Sequence, residues 1–446
     1  VRVLIVDFDR TGLDMAYRAA EGGHDVQIWS PPNADGSPVM AGHGFPGIKR
    51  VEKWQAAMLW VGKTGLVVNM FNDKEITRAM DQWRARGYRV FGPSAKSAAM
   101  EHDRGAGMKL FEKFGFEVPE YQIFPTLEAT LAYAWKCQDP MVLKPMGDND
   151  DKSLTYVAHD PADLVSFLEM KKTHGVQIKG QLMLQQKVDM IMELGVSAWM
   201  SPNGFSRAHN CSIEYKKLMN GDYGPSTGEM GDLSRYYTDT SESILSDHLM
   251  RFEETLLEMG HIGDFAIGGG VTTKGKYVPF EVSARFGYPE IFAFLHCHRC
   301  DPIEWMSSMI DGEDTLEVDE RPAVCVVMAK PPFPRSSDRP AQDVGAVITG
   351  IEEVWHHVSP VEMMLEKGPC MKGGKVDTDL VYKTTGNYIC TVTAQGSDVH
   401  DAIEEVYAAA GRIKYQDRML RTDIAKDLEK KIPKAKALGF RELPDW

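Results

Sequence analysis

Between residues 2 and 91 the chain alternates short apolar runs with helical ones, a pattern that few folds accommodate. A β-branched run at 2–6 leads through Asp7-Phe8-Asp9-Arg10-Thr11-Gly12 into an apolar-periodic helix at about 13–21. Further short runs follow at 25–29, 66–70 and 88–91, with a helix expected over 75–86 between the last two. Strands separated by helices need crossover connections, so this pattern predicts a parallel sheet. The loop after the first strand is where such a sheet would hold a phosphate, yet it carries one glycine and two acids in place of a glycine-rich cradle. Phosphate binding is not expected there.

At 446 residues the chain is too long for one core and should divide into about three domains or lobes. Gly92-Pro93-Ser94 closes an N-terminal α/β domain, 1–93. A connector at 94–119 holds a helix expected over 97–114 that carries Arg104 and Lys109. From 120 to 190, helix (126–136), strand (141–144), strand (153–158), helix (161–172) and strand (181–187) make an α+β lobe small enough to move as a lid. Lys144 ends the strand Val142-Leu143-Lys144-Pro145, from which an ammonium can reach a phosphate; the alternative is a solvated lysine at a strand terminus.

The next lobe, 191–320, holds Ser212-Ile213-Glu214-Tyr215-Lys216-Lys217 and then a glycine-rich stretch, 221–231, whose backbone N–H groups can approach a ligand closely. Its length without helix or strand signal favours a functional loop over a surface turn. A helix is expected over 241–259, and a strand at 262–268 then pairs with the next strand through a turn at 272–276. Asp264 on that strand is either a second acid near the site or an edge residue.

The following strand ends in Glu281-Val282-Ser283-Ala284-Arg285-Phe286-Gly287-Tyr288-Pro289-Glu290. An acid at a buried strand end wants a cation, and Arg285 offers a planar fork of donors suited to phosphate. Together they suggest a metal–nucleotide site; an exposed Glu–Arg pair is the alternative. His296-Cys297-His298-Arg299-Cys300 has the residue types of a zinc site. It continues an apolar helix that spreads these side chains around several faces, so zinc is rejected. Strands at 323–328, 345–350, 379–383 and 388–393 with a helix at 399–411 form a C-terminal α+β domain, 321–422. A basic amphipathic helix over 423–438 in the tail, 423–446, reads as a solvated cap.

A formal net charge of −14 excludes a general nucleic-acid coat, and bound anions must be gripped locally. Seven scattered cysteines fit reduced thiols, and no run approaches the roughly 18 apolar residues of a membrane span. The expectation is a cytoplasmic enzyme without nucleic-acid or membrane partners.

These pieces in this order resemble glycinamide ribonucleotide synthetase, the phosphoribosylamine–glycine ligase family of the ATP-grasp superfamily. The carriers are 90–94, the Lys144 strand, Gly224-Pro225-Ser226-Thr227-Gly228-Glu229-Met230-Gly231, the block from Glu281 to Glu290, 326–329 and 390–394. The resemblance implies an ATP-grasp fold with an N-terminal parallel-sheet domain, a small lid lobe and a C-terminal α+β domain. It also implies an ATP-dependent carboxylate–amine ligase that works through an acyl phosphate, a monomer or weak homo-oligomer with glycine-like and phosphoribosylamine-like substrates. Carried over by position, Glu281 and Ser283 would hold Mg2+ or Mn2+, and Lys144 and Arg104 would contact the nucleotide. Arg285 would stabilise the transferring phosphoryl group. The end of the 184–188 strand, with Gln185, Gln186 and Val188, would read adenine through backbone groups, and Glu193 would take the ribose hydroxyls. Lys216 and the loop Gly224, Pro225, Ser226, Thr227, Gly228 and Glu229 would border the carboxylate and amine.

This chain departs from the family at several positions. Ser283 stands in place of a metal-binding asparagine, Arg104 in place of a lysine, and Gly147-Asp148-Asn149-Asp150-Asp151-Lys152 in place of a glycine-rich lid loop. The loops 7–12 and 71–74 are also changed, and they fall where the phosphoribosyl amine should bind. Two alternatives therefore stay open, a ligase that joins another carboxylate to another amine and a non-catalytic nucleotide-binding or assembly protein.

Overall fold

The computed structural model describes residues 1–146, 155–175, 180–334 and 344–446. The expected parallel sheet is present. Strands β1 (Arg2–Val6), β2 (Asp25–Trp29), β3 (Ile48–Arg50), β4 (Leu66–Asn69) and β5 (Arg89–Phe91) lie in the order β3-β2-β1-β4-β5. Central β1 is covered on both faces: Val3 and Ile5 share a core with Met15 and Ala16 of α1 (Leu13–Glu21), whereas Leu4 and Val6 pack with Met58 of α2 (Trp54–Val61) and Ile76 of α3 (Lys74–Ala85). Each such side chain contributes about 2 kcal/mol of burial. The strand order reverses between β1 and β4, which leaves a crevice beyond their carboxyl ends.

The single helix expected over 97–114 is two. Ser94 forms a capping box with Ser97 at the start of α4 (Ala95–His102), and Asp103 breaks the helix and caps α5 (Arg104–Lys113). The lid sheet follows, with β6 (Tyr121–Phe124), β7 (Met141–Pro145), β8 (Tyr156–Val157) and β9 (Leu182–Gln186) in the order β6-β9-β7-β8. Helices α6 (Leu127–Ala134) and α7 (Pro161–Thr173) close a separate core on it, around Leu131, Leu143, Leu164, Leu168 and Leu184. The acidic stretch 147–152 lies outside the described residues.

An eight-stranded sheet forms the body. Its order is β16-β15-β10-β11-β14-β17-β22-β19. In chain order its first strands are β10 (Met190–Ser201) and β11 (Gly204–Glu214), then come β12 (Lys217–Met219) and β13 (Tyr223–Ser226), which pair only with each other, and β14 (Gly231–Tyr237). The glycine-rich stretch read as a loop is thus in part a small hairpin. Helices α8 (Ile244–Met250) and α9 (Glu253–Met259) precede β15 (Gly263–Thr272) and β16 (Tyr277–Ser283), and α10 (Glu290–Cys297) and α11 (Pro302–Ile310) come after them. Asp264 lies on β15, inside the sheet between β10 and β16, and not at an edge. Next, β17 (Ala323–Ala329), β19 (Val358–Pro360) and β22 (Tyr388–Gln395) extend the same sheet across the boundary expected at 320. A three-stranded sheet of β18 (Val347–Ile348), β20 (Met363–Lys372) and β21 (Lys375–Thr384) stands apart. After α12 (Val399–Arg412), the tail helix α13 (Leu428–Ala437) buries Leu428, Ile432 and Ala435 in the main core, so it is an integral element and not a solvated cap. Among the described residues no helix is long and apolar enough to cross a membrane.

Candidate active site

Edge strand β16 organises the site. A β-bulge sits where Gly268 and Gly269 of β15 face Glu281 and Pro279, so the strand kinks at Phe280 and re-aims the residues beyond it. Gly268 makes room for this, since a Cβ there would lie 3.3 Å from Cγ of Glu281. Glu281 and Ser283, two residues apart, share one face, while Val282 turns into the core. Both α4 and α5 pack against this strand, and each delivers a charge to it. Arg104, at the first turn of α5, reaches Oε2 of Glu281 at 3.1 Å. From the last turn of α4, Oε1 of Glu101 accepts from Nε of Arg285 at 3.2 Å, and its Oε2 takes the Ala284 N–H at 3.2 Å and the Ser283 hydroxyl at 3.4 Å.

Lysines close the cluster from two sides. Lys216 lies among Glu214 at 2.9 Å, Glu193 at 3.5 Å and Glu281 at 3.5 Å. Burial works against its charge, but these carboxylates outweigh it and hold the ammonium well above the ordinary lysine range. Lys144 comes across from lid strand β7, with Nζ 5.3 Å from the Phe280 ring centroid. Burial lowers its pKa to about 8, opposed by Glu281 and assisted by Arg104 and Lys216. A lysine so placed gains most from an anion arriving between the sheets.

Behind the mouth, carboxyl groups crowd together. Burial, reinforced by Glu214 and other acids, pushes Glu229 and Glu290 well above the carboxylate range, and burial takes Asp232 to about 7. Asp264 rises to about 8 by burial, with Arg285 opposing. Burial thus favours the neutral forms of these groups.

The structure brings Glu281, Ser283, Arg104, Lys144, Lys216, Glu193 and Arg285 close to one another. Others stand further back. Gln185 is buried, its amide 4.0 Å from the Met108 sulfur, and Gln186 is exposed with its N–H on the Glu120 carbonyl. Val188 lies just past β9 and is half-buried. Gly224 and Pro225 sit exposed on the β12–β13 hairpin, Ser226 is half-buried at its end and Gly228 is exposed. Thr227 turns inward and bonds the Lys216 carbonyl through both N–H, at 2.8 Å, and hydroxyl, at 2.9 Å. Sequence reasoning missed Glu101, which orients Arg285, and Glu214, the nearest partner of Lys216. Neither stands in a recognisable motif.

For a divalent cation, the donor set is one carboxylate and one hydroxyl on the same face of a strand. These hard oxygens fit Mg2+ or Mn2+ when a bound triphosphate supplies the remaining ligands. Among the described residues no group of three or more His, Cys, Asp or Glu side chains is arranged to hold a metal ion by itself.

Residues 323–427 match the family model of the phosphoribosylglycinamide synthetase C domain. The phosphoribosylamine–glycine ligase of Clostridium acetobutylicum is 26% identical over 365 residues, 78% of this chain and 81% of that protein. The crystal structure of the Thermotoga maritima phosphoribosylamine–glycine ligase superposes with a TM-score of 0.72 at 20% identity, over 95% of this chain and all of that one. A biotin carboxylase domain from Hydrogenobacter thermophilus, solved with ADP, its magnesium salt and bicarbonate, gives a TM-score of 0.60 at 10% identity, over 94% of this chain and 91% of that one. The chain therefore has the ATP-grasp fold, and it is similar to phosphoribosylamine–glycine ligases over most of its length.

Proposed function

We propose that the protein is an ATP-dependent carboxylate–amine ligase that works through an acyl phosphate. The observation that carries this reading is the convergence of Arg104, Lys144 and Lys216 on Glu281 at the gap between the lid sheet and the edge of the large sheet, with Arg285 held beside them by Glu101. Phosphoryl transfer needs little covalent help from a protein; it needs cations in place around the triphosphate and little water. Lys144 and Arg104 contact the nucleotide phosphates. The end of β9, with Gln185, Gln186 and Val188, holds adenine through its backbone, and Glu193 takes the ribose hydroxyls. Glu281 and Ser283 hold the magnesium or manganese ion, which when bound neutralises charge on the phosphate oxygens. Arg285 stabilises the transferring phosphoryl group, and Lys216 with the 224–229 segment borders the carboxylate substrate. Activity of the named relatives supplies the reference pair of substrates, glycine and phosphoribosylamine.

Hydroxylamine trapping tests the first half-reaction. With MgATP and glycine, hydroxamate should accumulate in step with ADP, and ADP release without hydroxamate would remove the acyl phosphate from the scheme. A second reading, in which the acceptor amine differs from that of the relatives, is favoured by the crevice at the ends of β1 and β4.

A further inference from the structure

Where the strand order reverses, between β1 and β4, the loops that leave the two strands place Phe8 and Phe71 face to face. Their ring centroids are 6.0 Å apart with 12° between planes. Phe8 is 37% exposed, and among the described residues neither ring belongs to a hydrophobic core. The crevice outside the carboxyl ends of strands at such a reversal is where open α/β sheets bind ligands. This one opens toward the chemistry: the Arg285 guanidinium carbon lies 5.6 Å from the Phe71 ring centroid.

What this crevice does with its anion-binding positions is unusual. Helix α1 begins directly behind the Phe8 loop, and its N-terminal N–H groups point where a phosphate would sit. In the loop just ahead of the helix the Asp7 carboxylate accepts from the Thr11 N–H at 2.9 Å and from the Ser30 hydroxyl at 3.1 Å. Gly12 is packed against it, so that a Cβ there would come within 2.9 Å of Cγ of Asp7. Helix α3, which comes after the Phe71 loop, is capped by a carboxylate: Asp73 takes the N–H groups of Glu75 at 3.0 Å and Ile76 at 2.9 Å. Arg10 is turned to the Asn33 side chain and the carbonyls of Pro31 and Pro32. One carboxylate of the chain itself thus stands in the loop ahead of α1 and another caps α3, and a phosphate there would meet like charge. The aromatic surface left to a ligand is the outer side of Phe8, since its other side meets Phe71.

Resting on the ligase reading above, we propose that the acceptor is an unphosphorylated primary amine carried on a flat, apolar ring, which stacks on Phe8, itself backed by Phe71, while its nitrogen reaches past Arg285 to the acyl phosphate. The amine lone pair forms the new C–N bond, and the C–O bond to the phosphoryl group breaks. Inorganic phosphate leaves with that electron pair, and the surplus ammonium proton passes to phosphate or water. Phe8 and Phe71 determine specificity and take no part in bond making.

The test measures ADP release with MgATP and glycine for three amines: 2-phenylethylamine, hydroxylamine, which has no ring to stack, and phosphoribosylamine generated in situ. The expected result is a higher kcat/KM for the ring amine than for phosphoribosylamine. In Phe8→Ala and Phe71→Ala the ratio of kcat/KM for the ring amine over hydroxylamine should fall about tenfold, the worth of one aromatic contact, through KM. Phe8→Tyr, which keeps the ring, should restore it. A preference for phosphoribosylamine, or a ratio that neither alanine variant moves, overturns the proposal and leaves the ligase reading standing. Absence of any glycine-dependent hydroxamate overturns both.

Discussion

The two crevices of this molecule treat charge in opposite ways. Around the end of β16, Arg104, Lys144, Lys216 and Arg285 share carboxylates across the gap between two sheets, and burial holds Lys144 at a pKa of about 8. At the ends of β1 and β4 stand carboxylates of the chain itself, Asp7 and Asp73. The first crevice gathers cations around Glu281. The second is complete except for an aromatic surface. In the proposed reading this difference separates a nucleotide half from an acceptor half.

The largest effect should come from the nucleotide half. Glu281→Gln should lower hydroxamate formation by about a hundredfold to a thousandfold, because it removes a cation ligand where several anionic oxygens meet. The side chain is 41% exposed, so the melting temperature should barely move. Full activity in this variant would take Glu281 out of the site. Arg285→Ala should cost about a hundredfold in the same assay, with nucleotide affinity changed less than kcat. An equal loss in both would make Arg285 a ground-state binding group.

Lys144 gives the comparison a pH signature. Its pKa is depressed to about 8 without ligand, and the ammonium form is the one that binds phosphate. Nucleotide affinity should therefore be flat below about pH 8 and weaken by up to about tenfold per pH unit above it, with proton uptake on binding. Calorimetry in buffers of different ionisation enthalpy reads that uptake, and Lys144→Arg should abolish it.

The acceptor half has its own signature, in stability. Burial raises Asp7 from 3.8 to about 6. The folded state binds the extra proton between those values, so stability is highest below about pH 4 for this group and is lost as pH rises through 6. The loss is about 3 kcal/mol. Asp7→Asn keeps the acceptor for the Thr11 N–H and should flatten this part of the profile in urea melts; an unchanged slope would assign it to another acid. The smallest effect is expected from Ser283→Asn, which should raise magnesium affinity by less than about tenfold. A larger gain would mean that the hydroxyl is no ligand at all.

Much of this could be read in the sequence because strand ends announce themselves. Lys144, Glu281 and Arg285 each stand where an apolar run stops, and the alternating runs from Arg2 to Phe91 dictated the parallel sheet. The break at Asp103 was harder, since a mid-pattern aspartate is read as helix surface until its cap is seen. Hairpin β12–β13 was hidden by glycines that also suit a loop, and the buried face of α13 by its lysines. Glu101 and Glu214 could not be found, because their roles come from ion pairs to Arg285 and Lys216, which only the fold brings near. Asp7 looked like the loss of a phosphate loop, and the structure turns that loss into a built feature, a carboxylate bonded to the Thr11 N–H and the Ser30 hydroxyl within the loop.

Transfer of the γ-phosphoryl group to a carboxylate is the central claim, and positional isotope exchange tests it without reference to any amine. ATP labelled with oxygen-18 in the β–γ bridge, incubated with enzyme, magnesium and glycine, should scramble label into the β-nonbridging positions in wild type and not in Glu281→Gln. Scrambling without a carboxylate present, or none with any carboxylate tried while the nucleotide is bound, would contradict it.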